Sequence, residues 1–204
     1  MKLYNSRGPN PHVVRMFMAE KNIEIDKHEI DVRGGENRLE PYMTKVNPRG
    51  QCPALELDDG TVITEITAIC EYLEEKHPTP ALIGTTAQER AVTRMWTRRV
   101  DIAICEPMTN GYRAAEAYER FKLRFRVLPE SAANLKAIGQ DNLTWLDGEM
   151  ASRPYLCGDR FSMADIHLYG FLSFLADNGQ PLDPALKNNA AWFDRIAARP
   201  SASA

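Results

Sequence analysis

The apolar positions change their spacing once along this chain, from short runs broken by turn residues to long helical stripes. Residues 2–6 outline a short strand that stops at Arg7-Gly8-Pro9-Asn10-Pro11. An amphipathic helix follows, its apolar face marked by Val13, Val14, Phe17 and Met18, and Pro11 suits a first helical turn. Ile23, Ile25, Ile30 and Val32 predict a second, alternating strand, and Gly34-Gly35-Glu36-Asn37-Arg38 a turn into a short helix near 41–45. Strands at 54–57 and 61–63 flank Asp58-Asp59-Gly60, a tight-turn signal between antiparallel partners. A helix over 67–76 ends at His77-Pro78-Thr79-Pro80. Everything later reads as helix: a long one from about Gln88 past Cys105 with a kink at Pro107, then 132–150, 163–176 and 190–197. The pattern predicts an α+β chain: a βαβαββα domain over 1–78, a linker over 79–86 and an all-helical domain over 87–204.

Composition narrows the function classes. With 44% hydrophobic and 26% charged residues the 204-residue chain has the make-up of a soluble globular protein. A formal net charge of −3 argues against a nucleic-acid partner or an anionic membrane, and no apolar run approaches the roughly 18–20 residues of a membrane span. Met1–Asn5 leads straight into a strand pattern without a signal-peptide core, and the scattered Cys52, Cys70, Cys105 and Cys157 form no CxxC. No histidine stands at metal-ligand spacing. Reduced thiols, a cytoplasmic location and no metal are the expectation.

Two stretches carry chemistry. In Val46-Asn47-Pro48-Arg49-Gly50-Gln51-Cys52-Pro53-Ala54-Leu55 a proline stands at the start of a sheet strand, where it removes a ladder donor. A cis Cys52–Pro53 bond would turn the Cys52 backbone outward to pair with an extended peptide; a trans proline at an edge strand explains the residue equally well. In Thr64-Glu65-Ile66-Thr67-Ala68, Glu65 either favours the helix dipole or receives an ammonium group, while the helix N–H groups take a carboxylate.

Together the run Asn47-Pro48-Arg49-Gly50 through Pro53 and Leu55, the Asp59-Gly60 turn, and Glu65, Ala68, Ile69, Tyr72 and Leu73 at intact spacing resemble the glutathione transferase family. Asp159-Arg160-Phe161-Ser162-Met163-Ala164-Asp165-Ile166 resembles that family's helix-start box, in which Ser162 caps and Asp165 reaches back, a structural role. The resemblance implies a thioredoxin-like first domain that binds glutathione as co-substrate. Cys52 and Pro53, with Gln51 beside them, would meet its cysteinyl backbone, and Glu65 and Ile66 its γ-glutamyl end. Ile66 replaces the family's common serine, so only its backbone N–H can serve. Arg38, with Asn37 or Lys45 as substitutes, would hold the glycine carboxylate.

The thiol must be activated as a thiolate. The Gly8-Pro9-Asn10-Pro11 junction is similar to that of an atypical bacterial and fungal group relying on the helix N-terminus, although Gly111-Tyr112-Arg113-Ala114 lacks that group's histidine and serine. Asn10 with the amides around it, then Ser6, are the catalytic candidates; Tyr4 fits the core better. Pro9, His12, Met108, Tyr112 and Arg113 are candidates for an electrophile pocket. The family implies a homodimer, to which Arg94, Arg98, Arg99 and Asp101 would contribute, although a solvated helix face explains them as well. The expected activity is conjugation of glutathione to small hydrophobic electrophiles. Disulfide or peroxide reduction, cleavage of aromatic ethers or carbon–halogen bonds, and a non-catalytic binding role are the rivals.

Overall fold

The computed structural model describes residues 1–204, which divide into two compact units, Met1–Leu82 with Pro200–Ala204, and Ile83–Arg199. In the first, β1 (Lys2–Asn5), α1 (Pro9–Glu20), β2 (Asp26–Glu29), α2 (Tyr42–Lys45), β3 (Ala54–Glu56), β4 (Val62–Thr64) and α3 (Ile66–Lys76) build a thioredoxin-like layer. The sheet order is β2-β1-β3-β4, with β1 parallel to β2 and the remaining pairs antiparallel. Period-two alternation sends neighbouring residues to opposite faces. Leu3 opposite Leu55 is fully buried, and Tyr4 opposite Ala54 joins Ile30 and Tyr42 in a second cluster.

The second strand departs from the expectation. It is Asp26-Lys27-His28-Glu29, exposed throughout, while the isoleucines Ile23 and Ile30 are buried on either side of it. As an edge strand with one neighbour it gains from charge, which deters pairing with another chain. The closing residues, expected in the helical domain, belong to the first unit. His12 Nε2 lies 3.0 Å from the Ala202 carbonyl, Arg15 Nε donates to Ala204 O at 3.1 Å, and Ser201 donates to the Glu20 carboxylate. A buried ion pair adds to this unit: Lys21 Nζ donates to Glu74 Oε2 at 2.6 Å and to Pro80 O at 2.5 Å.

The second unit is helical: α4 (Ala87–Val100), α5 (Glu106–Ala114), α6 (Tyr118–Phe121), α7 (Ala132–Glu149), α8 (Met163–Ala176) and α9 (Lys187–Ala197). Between α4 and α5 the helix is not simply kinked at Pro107 but wound as a π-turn over Asp101–Cys105. Pro107 has no N–H for the Ala103 carbonyl, and the Glu106 N–H reaches back five residues to Asp101 O. Gly139 on α7 lets α5 approach: a Cβ there would stand 2.2 Å from Met108 Cγ. At the start of α8 the buried Asp165 accepts from Ser162 N (2.9 Å), Leu156 N (2.9 Å) and Trp192 Nε1 (2.9 Å), the structural role expected of the box.

Candidate functional site

Three neighbouring strands end at one side of the first unit's sheet. The register places Tyr4, Ala54 and Thr64 in a row, so the β1–α1 junction, Cys52–Pro53 and Glu65 lie just beyond that row. Strands repeat every ~4.8 Å, so the row spans roughly 10 Å, about the length of an extended tripeptide.

The β1–α1 junction turns at Gly8, whose φ of 129° favours glycine. Of the first helical residues, Pro9 and Pro11 have no N–H, and the His12 N–H is taken by Gly8 O at 3.2 Å. Within the first helical turn, residues 9–12, the Asn10 N–H is the one backbone donor left open, and the half-exposed Asn10 side chain makes no hydrogen bond within the chain. Ser6, the other catalytic candidate, is only 5% exposed; its hydroxyl faces the Arg7 carbonyl at 3.5 Å and the Cys52 thiol, away from solvent. Tyr4 donates to Glu56 Oε2 at 2.6 Å and packs edge-on against His28 and Tyr42, a core role. Arg15 Nη1, which sequence reasoning missed, donates to Asn5 Oδ1 (2.8 Å) and Ser6 O (3.0 Å) and fixes the junction from below. A cation flanked by Val14 and Met16 was the available signal.

The Cys52–Pro53 peptide is cis. The carbonyls before it are tied inward: Tyr42 Oη donates to Gln51 O at 2.8 Å, Asn47 Nδ2 to the same oxygen at 3.0 Å, and Asn37 Nδ2 to Gly50 O at 2.5 Å. The amide and carbonyl of Cys52 itself enter no backbone hydrogen bond within the chain. Its thiol donates inward to Tyr4 O at 3.2 Å, and burial pushes its pKa up to about 11 against the Ser6 and Tyr42 hydroxyls. That sulfur stays a neutral thiol at physiological pH, so Cys52 can offer a ligand its backbone and no nucleophile. Asn37 is buried and holds the loop, the Gln51 side chain is exposed, and half-buried Arg38 donates to Arg49 O at 3.2 Å.

Glu65 opens α3 with φ 67° and ψ 121°, a backbone state costing roughly 1–3 kcal/mol in a non-glycine residue. Its exposed carboxylate makes no capping hydrogen bond, so dipole capping through a backbone donor is not what holds it there. The N–H groups of Ile66, Thr67 and Ala68 are open, an anion site beside a free carboxylate. The Ile66 side chain is buried.

The remaining candidates belong to both units. Pro9 sits on the α1 turn, and His12 is turned to the Ala202 carbonyl, burial holding its pKa below the usual value. In the second unit Met108 is core against Gly139. Tyr112 is buried against Phe174 and takes a hydrogen bond from Arg120, while Arg113 donates to Asn110 Oδ1 at 3.0 Å beside Phe121 and Phe125. Of the charged cluster, Asp101 accepts from Arg98 at 3.4 Å and lies 3.0 Å from the buried His167 Nε2, and Arg99 covers the Trp96 ring.

Known proteins resemble this chain over most of its length. A model of the glutathione S-transferase N-terminal domain matches residues 8–76, and one of the C-terminal domain matches 115–200. The chain is 32% identical over 196 residues to glutathione S-transferase 2 of Saccharomyces cerevisiae, covering 95% of this chain and 84% of that one. It is 31% identical over 206 residues to glutathione S-transferase GstA of Escherichia coli O157:H7, covering 98% and 94%. The crystal structure of Gtt2 from Saccharomyces cerevisiae superposes with a TM-score of 0.92 at 32% identity, over 100% of this chain and 99% of that one. That of the beta-etherase LigF from Sphingobium sp. gives 0.81 at 27% identity, over 99% and 96%.

Proposed function

The chain belongs to the glutathione S-transferase family, and from that premise we propose that it binds glutathione across the row ending β1, β3 and β4, ionises its thiol and conjugates it to small hydrophobic electrophiles. The γ-glutamyl ammonium meets Glu65 and its carboxylate the open N–H groups of Ile66 and Thr67. The cysteinyl backbone pairs with Cys52, as in strand addition. Arg38 takes the glycine carboxylate, and the sulfur lies at the Asn10 N–H.

The observation that carries this reading is the accounting of open groups. Of the groups a bound glutathione offers, the ammonium, the γ-glutamyl carboxylate, the cysteinyl backbone and the sulfur each find an unused partner at the sheet end. Lowering a thiol pKa from about 8.5 to about 6.5 takes roughly 2.7 kcal/mol. The helix dipole contributes about 0.3–2 kcal/mol and one hydrogen bond to a charged sulfur about 1.5–3. Their sum, about 2–5 kcal/mol, brackets the requirement, so one well-aligned N–H on a helix axis meets it in the upper part of that range. The thiolate then forms the new C–S bond, and the leaving group departs with its electron pair; in an addition, the carbanion takes a proton from water.

Glutathione titration followed by ultraviolet thiolate absorbance tests this reading. A new thiolate band at neutral pH is expected, and binding without one would leave a ligand-binding protein. A second reading, scission of an aromatic ether by the same thiolate, is favoured by the full-length likeness to LigF. A panel of aryl halides, enones, aryl ethers and disulfides decides among these chemistries.

A further inference from the structure

The whole-chain charge of −3 conceals a local reversal. From Tyr118 to Leu128 the sequence alternates cation and apolar residue: Arg120-Phe121-Lys122-Leu123-Arg124-Phe125-Arg126-Val127, with Glu119 the lone carboxylate. Such alternation buries one face when it forms a strand. Here it pairs with no strand: α6 ends at Phe121, residues 122–125 turn and bend, and 126–128 continue without regular structure. The apolar members are left outside, Leu123 86%, Leu128 49% and Phe125 40% exposed.

The base of this tip is fixed. The Arg124 N–H donates to Phe121 O at 2.8 Å, the Phe121 and Phe125 rings lie 5.5 Å apart, and the Arg113 guanidinium stands 5.5 Å from each. Arg113 is held by Asn110 rather than by a carboxylate. Of the nearby acids only Glu119 pairs within the tip, to Lys122 at 2.5 Å, while Glu116 goes to Lys136 and Glu106 to Asn110 at 2.6 Å. Arg120, Lys122, Arg124 and Arg126 outnumber that single carboxylate. The result is an exposed Leu123 with Lys122 and Arg124 on either side of it in the chain and Arg126 beyond.

We propose that residues 118–128 dock this protein on an anionic lipid bilayer, Leu123 and Phe125 entering the interfacial layer while Lys122, Arg124 and Arg126 meet headgroup phosphates. Basic residues with exposed Phe and Leu are the composition of interfacial membrane binding. A protein partner fits less well. A folded partner must match this surface in shape, whereas the tip is topped by an 86% exposed leucine that a bilayer can take up without a preformed site. A fluid, negatively charged surface accepts such a tip without a matching cleft. The attachment is peripheral and reversible, since two inserted apolar side chains are far less than a spanning helix.

Vesicle co-sedimentation of the full chain tests it, with phosphatidylglycerol–phosphatidylcholine vesicles against phosphatidylcholine alone. Binding is expected to the anionic vesicles only and to fall steeply with added salt. Each cation at such a surface changes partitioning on the order of fivefold, so K122Q/R124Q/R126Q should lower it about a hundredfold. L123S should lower it about tenfold. K27Q/K76Q/K187Q removes the same charge from exposed positions elsewhere and should bind as the parent does. Circular dichroism and glutathione binding confirm that each variant is folded. Equal loss in the two triple variants, wild-type partitioning of L123S, or no preference for anionic vesicles would each overturn the proposal.

Discussion

Two helix N-termini face the same end of the first unit's sheet, and they are built in opposite ways. The α3 start is rich in donors: Ile66, Thr67 and Ala68 all present N–H groups, and Glu65 stands beside them in a strained backbone state without capping anything. The α1 start is nearly stripped of donors, because Pro9 and Pro11 carry none and His12 is already satisfied. The two ends suit different anions. A carboxylate spreads its charge over two oxygens and rewards several donors. A thiolate is a single large atom whose nucleophilicity must survive, and one N–H on the helix axis stabilises it without smothering it. Prolines at such a start look like ordinary helix initiators; here they also set the donor count.

Substitutions can break or sharpen this contrast. Removing the ammonium partner should matter most: Glu65→Ala is expected to weaken glutathione about 10- to 100-fold by calorimetry, the worth of a charge-assisted hydrogen bond. Unchanged affinity would return Glu65 to a helix-dipole role. At the other helix, Asn10→Pro deletes the single open N–H and should lower turnover at neutral pH about tenfold with little change in glutathione affinity. Ile66→Ser adds a hydroxyl to the donor-rich end and should tighten glutathione roughly threefold to tenfold, with some loss of thermal stability from the buried methyl groups. Cys52→Ser should change affinity and turnover by less than about twofold, below the worth of one hydrogen bond, because the thiol is neutral and turned inward. A large loss there would assign the sulfur a role in the chemistry.

The pH dependence of stability gives a further, smaller test. Burial lowers the His12 pKa, so the unfolded chain binds a proton more readily than the folded one once pH falls below about 6.5. The first unit should lose stability on acidification from that point down to the folded-state value, and His12→Gln should flatten the decline. Denaturant unfolding at several pH values measures it.

Much of this was legible in the sequence, for identifiable reasons. The Asp59-Gly60 hairpin, the Pro53 strand start and the Ser162–Asp165 box are local devices whose residues specify their own geometry. The edge strand was misread because the pattern followed isoleucines, whereas an edge position favours the polar run between them. The π-turn at 101–105 looked like a plain proline kink, since the choice between hydrogen-bond registers lies in backbone geometry. Residues 200–204 offered no periodicity that could assign them to the first unit. For the candidate site, residue type named Glu65 and Asn10. It could not show that Glu65 caps nothing or that Ser6 faces inward, because both depend on where a hydroxyl or carboxylate points after folding. The donor count at α1 was fully readable, as two prolines lack N–H groups in any fold.

The central claim is that a single backbone N–H at Asn10, with the α1 dipole, ionises the bound thiol. Ultraviolet titration of glutathione bound to the parent, Asn10→Ala and Asn10→Pro chains tests it most directly. The account predicts a thiol pKa near 6.5 to 7 in the parent and in Asn10→Ala, and a rise of about one to two units in Asn10→Pro. An unshifted pKa in Asn10→Pro, or a full rise in Asn10→Ala, would contradict it.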